Sequence, residues 1–292
     1  MSIFLQLLIN GVIAGAIYAL VSSGFSLIYS TNKFVHFAHG GVIALSAYFF
    51  FWTLSNSSLT PVVVIALTML FSALLGYLLN KVFYKPLRAK KSSSLILFVT
   101  SMAILILSEA LVLLIFGANA KTINLIKNNH GMEIAGAIIT PLQLAIIGTA
   151  VLLFLGLYLF MKKTKIGKAM RAVADNKEVA EIVGISSEKI YSWSFAIGSA
   201  IAGIAAILIS LEQNIEPTMG TSLMVKGFIS AIIGGVGSVP GAILGSFSLG
   251  LTENFGTWFL PSGYKDAIAF LLLFVFLLFR PQGILGIKNK QR

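Results

Sequence analysis

Residues 2–32 and 34–80 contain no Asp, Glu, Lys or Arg. Crossing about 30 Å of hydrocarbon takes about 20 apolar residues, so the first stretch suits one transmembrane helix and the second suits two. Ser55-Asn56-Ser57-Ser58 followed by Thr60-Pro61 marks the turn between those two. Further apolar segments lie at about 94–116, 137–160, 191–211, 227–252 and 264–279. Irregular backbone cannot face lipid. The expected fold is therefore all-α, a polytopic transmembrane helical bundle of about eight apolar segments.

Charge is scarce and localised. Only 11% of residues are charged, against about 25% in soluble domains. The formal net charge of +11 does not form a basic stripe interleaved with aromatics, which argues against a nucleic-acid partner. The basic residues sit in short loops, as the positive-inside bias predicts. With no cysteine, disulfide, thiol and cysteine-ligated zinc chemistry fall away. The N-terminus lacks the basic n-region of a cleaved signal peptide and its apolar run exceeds an h-region, so it is expected to stay as a membrane helix.

The loops give an orientation. Lys81, Lys85, Arg88, Lys90 and Lys91 place one loop in the cytoplasm. The 118–136 loop (Lys121, Lys127, Glu133) falls outside, the charged 161–192 insert inside and the Glu212–Glu216 turn outside. The N-terminus then lies outside, and the tail with Arg280, Lys288, Lys290 and Arg292 favours the cytoplasm. Eight full crossings would put both ends on one face, which conflicts with this assignment. Segment 227–252 is interrupted by Gly234-Gly235-Val236-Gly237-Ser238-Val239-Pro240-Gly241, and proline removes a backbone donor. That segment is expected to be broken or re-entrant; the alternative is a basic tail that departs from the rule.

Few residues could carry chemistry. Ile166-Gly167-Lys168 lacks the upstream glycine of a phosphate loop. No His/Asp/Glu cluster has metal spacing, and no serine has a His–acid partner in sequence. No catalytic residue, metal or cofactor is expected on this chain. The insert from Met161 to Ser192 carries Lys162, Lys163, Lys165, Lys168, Arg171, Lys177 and Lys189 against Asp175, Glu178, Glu181 and Glu188. Residues 166–183 suit a helix, with Gly184 as its stop. It presents either a docking surface or a solvated basic hairpin among lipid headgroups. Glu109 lies inside a span, where a carboxylate marks a transport site or a satisfied structural pair. His36 and His39, near a span end beside Lys33, read as interfacial or hydrogen-bonded packing residues before proton carriers. Gly11 and Gly15, and Gly237, Gly241 and Gly245, recur at intervals of four, which permits close helix approach. The Gly-Ser-Val-Pro-Gly break could equally expose backbone to a pathway.

Four motifs then point to one family. Thr164-Lys165-Ile166-Gly167-Lys168-Ala169-Met170-Arg171-Ala172-Val173-Ala174-Asp175-Asn176, followed by Ala180 to Ile185, resembles the cytoplasmic loop of branched-chain amino-acid ABC transporter permeases. Phe37-Ala38-His39-Gly40 resembles the family's N-F-A-H-G sequence, with His36 in place of Asn. Gly234 to Ala242 resembles its G-G-x-G-S-x-x-G-A turn, and Arg280-Pro281-Gln282-Gly283-Ile284-Leu285-Gly286 its R-P-x-G-[IL]-x-G ending. The arrangement is similar to the shorter of the family's two permease subunits, a single permease domain over 1–292 with a cytoplasmic coupling loop at 161–192.

The resemblance implies a multi-pass protein of the bacterial inner membrane, importing leucine, isoleucine and valine by alternating access. Implied partners are ABC ATPase subunits, a sister permease, an extracytoplasmic solute-binding protein, the amino-acid substrate and the lipid bilayer; the partner subunits use the ATP. Lys168, Arg171, Asp175, Glu178, Ala180, Glu181 and Gly184 would then form the ATPase-coupling element. His39, Glu109, Gly237, Ser238, Pro240 and Gly241 are the candidates for the translocation pathway. A permease for urea, amides or sugars stays open, as does a self-sufficient secondary transporter or channel.

Overall fold

The computed structural model describes residues 2–123, 125, 131–134 and 136–286; the charges expected at Lys127, Lys288, Lys290 and Arg292 lie outside them. Helices dominate. In chain order they are α1 (Ser2–Asn32), α2 (Ala38–Asn56), α3 (Pro61–Leu79), α4 (Lys85–Ala89), α5 (Ser94–Phe116), α6 (Pro141–Lys163), α7 (Lys165–Asp175), α8 (Lys177–Ile182), α9 (Ser187–Glu212), α10 (Met219–Gly234), α11 (Val239–Gly256) and α12 (Lys265–Phe279). A π-helical turn, Asn80–Tyr84, joins α3 to α4. A two-stranded hairpin, β1 (Met132–Ile134) and β2 (Ala137–Ile139), precedes α6, so the span expected from 137 starts at Pro141 instead.

Seven helical stretches among the described residues are long and apolar enough to cross a membrane, and α10 with α11 forms one pair bent by 113°. The expected eight segments, one of them broken, are thus present. The turn between the second and third spans also falls as expected. Asn56 ends α2, and Pro61 opens α3, where its missing N–H is an orphan donor in any case.

The chain divides into two compact units, each discontinuous in sequence. One comprises Leu27–Ile123 and Leu152–Met224. Its centre is α2 and α9, 67% and 72% buried over their most apolar windows, whereas α3 and α5 bury only 28% and 33% of theirs. Their outer faces are the apolar ones a bilayer would solvate. Within the unit α3 and α9 run antiparallel at close range: a Cβ on Gly76 would strike Ser199, and one on Gly203 would strike Ser72. Such small-residue contacts replace the hydrophobic drive that helices lack in lipid.

The other unit comprises Met1–Ser26, Asn124–Val151 and Val225–Arg292. Gly11 and Gly15 of α1 sit against the backbone of α11 at Leu251 and Phe247. The Ser22 and Ser246 hydroxyls lie 2.7 Å apart across the same pair of helices. The interval of four in α1 therefore serves helix packing. Gly237 does not share that role, because it lies in the break; only Gly241 and Gly245 stand on α11, facing Gly234 and Ser230 of α10.

Candidate functional site

The break between α10 and α11 is made by glycine, not proline. Gly235 and Gly237 adopt φ of +110° and +87°, a region open to glycine at no steric cost. Ser238 then caps α11, its hydroxyl accepting from the Gly241 N–H at 3.2 Å. Pro240 sits in the first turn of α11, where it starts a helix, correcting the expectation that it interrupts one. The C-terminal segment closes over the break. The Ile284 N–H donates to Ile233 O and the Leu285 N–H to Gly234 O, both at 2.8 Å. These bonds satisfy two orphan carbonyls at the end of α10. Two motifs separated by about forty residues of sequence thus form one structure.

A charged cluster that the sequence reading missed lies in the same unit. Lys226 of α10 pairs with Glu253 of α11 at 3.1 Å and with Asp266 of α12 at 3.2 Å. The Tyr18 hydroxyl of α1 donates to Glu253 Oε2 at 2.8 Å, and Lys226 donates to the Tyr18 oxygen at 3.2 Å. Glu253 is fully buried and Lys226 nearly so, while Asp266 is 75% exposed. The signal was present in the sequence. Lys226 and Glu253 stand just beyond each end of the uncharged run 227–252, and a sharp fold at its middle brings the two ends together.

In the other unit, the turn between α1 and α2 is packed with rings. His36 lies 4.9 Å from Phe195 and 5.3 Å from Tyr84, centroid to centroid, and its Nδ1 is 3.0 Å from the Tyr84 hydroxyl. The His39 ring is 6.2 Å from it. Both histidines are fully buried. Burial, with His39 beside it, holds the His36 imidazole well below the usual histidine range. Gly40 packs on Gly220 at the start of α10, and Gly41 on Ser108 of α5. One residue further along α5, Glu109 accepts a hydrogen bond from Thr221. The intramembrane carboxylate has a partner, and α2, α5 and α10 meet around it. His39 and Glu109 therefore belong to one unit, while Gly237, Ser238, Pro240 and Gly241 belong to the other.

The charged insert forms two helices rather than the single one expected over 166–183. Asn176 leaves the helical region, at φ −148° and ψ 110°, and its side chain accepts from the Val179 N–H at 3.1 Å. It both ends α7 and caps α8, a role for which asparagine is favoured. Gly184, at φ +87°, closes α8 with a Schellman pair: Gly184 N–H to Glu181 O and Ile185 N–H to Ala180 O, both 3.0 Å. Met170, Val173 and Ala180 are buried. Lys168, Arg171, Asp175, Glu178, Glu181 and Gly184 are exposed, so Ala180 alone of the coupling candidates faces inward. The exposed face of α8 also carries an apolar knob of Val179, Ile182 (83% exposed) and Val183. The loop base is anchored by Arg88, which donates from Nε and Nη2 to the two oxygens of Glu188 at 3.0 and 2.9 Å.

A family model described as branched-chain amino acid transport system / permease component matches residues 7–277. The chain belongs to this family. Among relatives, the high-affinity branched-chain amino acid transport system permease protein BraD of Pseudomonas aeruginosa is 33% identical, covering 97% of this chain and 96% of its own length. LivH of Escherichia coli K12, of the same description, is 31% identical over 97% and 96%. A probable branched-chain amino acid transport permease LivH of Methanocaldococcus jannaschii is 27% identical over 98% and 94%. No solved structure matches the chain significantly. Membership in this family together with the apolar helices makes the protein a multi-pass membrane permease component.

Proposed function

We propose that this chain is the membrane-spanning subunit of an ABC importer for branched-chain amino acids in a bacterial inner membrane. It is not an enzyme and binds no cofactor; ATP is used by partner ATPase subunits that dock on α7 and α8. A sister permease and an extracytoplasmic solute-binding protein complete the assembly. The observation that carries this reading is the α8 knob. Ile182, Val179 and Val183 are exposed to water on a short, doubly capped helix pair, whereas exposed apolar clusters on soluble surfaces mark interaction sites. Two capped helices with Met170, Val173 and Ala180 buried beneath them make a stiff lever, suited to passing ATPase motion to α9. Alternating access follows if ATP-bound partners favour one arrangement of the spans over the other.

The break supports the orientation drawn from the loops. The end of α12 lies beside it, so α10 descends toward the face of the C-terminal tail and α11 returns. On this reading the pair begins and ends on one face, and seven crossings leave the two termini on opposite faces, in keeping with the basic tail. The cluster at Lys226 favours a second reading, a self-sufficient secondary transporter, since intramembrane charges mark ion pathways. Leucine uptake by liposomes holding the chain with and without candidate ATPases separates the two. The importer reading expects no uphill uptake by the chain alone, and expects Ile182→Asp to abolish ATPase copurification while the chain stays folded. Gradient-driven accumulation without nucleotide overturns it.

A further inference from the structure

We propose that the groove between α3 and α9 is a binding site for an anionic phospholipid. The groove has a volume of about 590 Å³ and is open along one side of a single unit. Its two walls run antiparallel, with Gly203 against Ser72, Ser199 against Gly76, Ser192 bonded to Asn80 at 3.0 Å and Glu188 bonded to Arg88. Chemical character therefore changes in the same sense along both walls. At one end lie Leu70 and Leu74, 65% and 52% exposed. Tyr77 and the half-exposed Trp193 follow, the residue types that settle at the level of headgroups. Lys85 and Lys189 close the other end.

The charge at that end is unbalanced. Glu188 also lines the groove, but both of its oxygens are occupied by Arg88. Lys85 and Lys189 are exposed and make no ion pair or hydrogen bond among the described residues. Lys81, one turn from Lys85, lies 5.9 Å above the Tyr77 ring and adds to the same field. An apolar trough ending in two free ammonium groups fits a ligand that joins alkyl chains to a phosphate anion. A protein partner would have to bring two carboxylates to the basic end and a separate apolar ridge to the other; one lipid molecule supplies both. The inference needs only that α3 and α9 lie in the bilayer, and is independent of what the chain transports.

Native mass spectrometry of the detergent-purified chain tests it, with dioleoyl-phosphatidylglycerol and dioleoyl-phosphatidylcholine as probes. The wild type is expected to retain phosphatidylglycerol over phosphatidylcholine. K85Q/K189Q lowers phosphatidylglycerol affinity about thirtyfold, two lysines acting together on one anionic headgroup. K85R/K189R retains it, as does K162Q/K163Q at the end of α6, and soluble glycerophosphoglycerol does not compete. Equal retention of the two lipids overturns the proposal, as does a loss in K85Q/K189Q no larger than in K162Q/K163Q. Competition by the tail-less headgroup reduces the groove to an anion site and also overturns it. So does cross-linking from Trp193→Cys to another polypeptide that excludes lipid.

Discussion

Replacing Lys226 should destabilise the protein more than replacing its partner Glu253, although the two form one ion pair. In Lys226→Met, the fully buried Glu253 carboxylate keeps only the Tyr18 hydroxyl at 2.8 Å. Removing one partner of a buried pair typically costs about 3–5 kcal/mol, because the remaining charge is uncompensated. In Glu253→Gln, Lys226 still reaches Asp266 at 3.2 Å, and glutamine oxygen still accepts from Tyr18. The loss is then nearer that of a charged hydrogen bond, about 1.5–3 kcal/mol. The double variant Lys226→Met/Glu253→Gln buries no charge and should recover at least half of the Lys226→Met loss, a non-additivity expected of groups in direct contact. Unfolding of the purified variants in a denaturant series, followed by tryptophan emission, gives all three numbers. Equal losses in the two single variants, or a double variant whose loss is the sum of both, would refute the assignment of Lys226 as the hub.

The buried His36 makes stability depend on pH. Its imidazole is neutral in the fold, held there by burial, whereas the unfolded chain takes up a proton near the ordinary value of about 6.5. The unfolded state therefore binds more protons below that pH, and stability is lost as pH falls, by up to about 1.4 kcal/mol per pH unit. The unfolding midpoint should drop between pH 7 and pH 5, and His36→Asn should flatten that slope; an unchanged slope excludes His36 as its source. Gly184→Ala meets no steric obstacle, since the space around it is open, yet it should destabilise the end of α8 by about 1–2 kcal/mol through its left-handed backbone. Hydrogen exchange at Ile185 reads that loss, with Gly184→Asn expected to lose less.

Legibility followed the length of the signal. Runs such as 34–80 contain enough uncharged residues that two spans and the turn at Asn56–Pro61 could be placed from composition alone. The break at Gly235 and Gly237 was also legible, but its cause was misassigned to Pro240, because proline's effect depends on where in a helix it falls. Asn176 was missed for a similar reason. Alanine, valine and charged residues on both sides suit one helix, and only a side-chain oxygen turned onto the Val179 N–H divides it. Lys226 and Glu253 flank the uncharged run 227–252, so in one dimension each charge stands at a span boundary and neither looks buried. What a linear reading cannot supply is the fold-back that carries two boundaries into one buried site.

That fold-back depends on the tail, and the dependence can be measured. Gly283, at φ +75°, lies directly against Gly235, and a Cβ there would strike the Gly235 backbone. Gly283→Ala must therefore push the tail off the break or force both backbones apart. Either way the two 2.8 Å bonds from Ile284 and Leu285 are strained or lost, leaving the last carbonyls of α10 without partners. Each orphaned buried group costs about 1–3 kcal/mol. The left-handed conformation adds about 1–2 kcal/mol, so with both carbonyls orphaned a total loss of about 3–8 kcal/mol is expected. Gly263→Ala, before α12, has open space around it and should be nearly neutral. If the tail were only an appendage, the two alanine variants would behave alike in unfolding and in exchange at Ile284 and Leu285. If it is the clasp that keeps α10 and α11 bent, Gly283→Ala alone should expose those amides, and the Lys226–Glu253 pair should weaken with them.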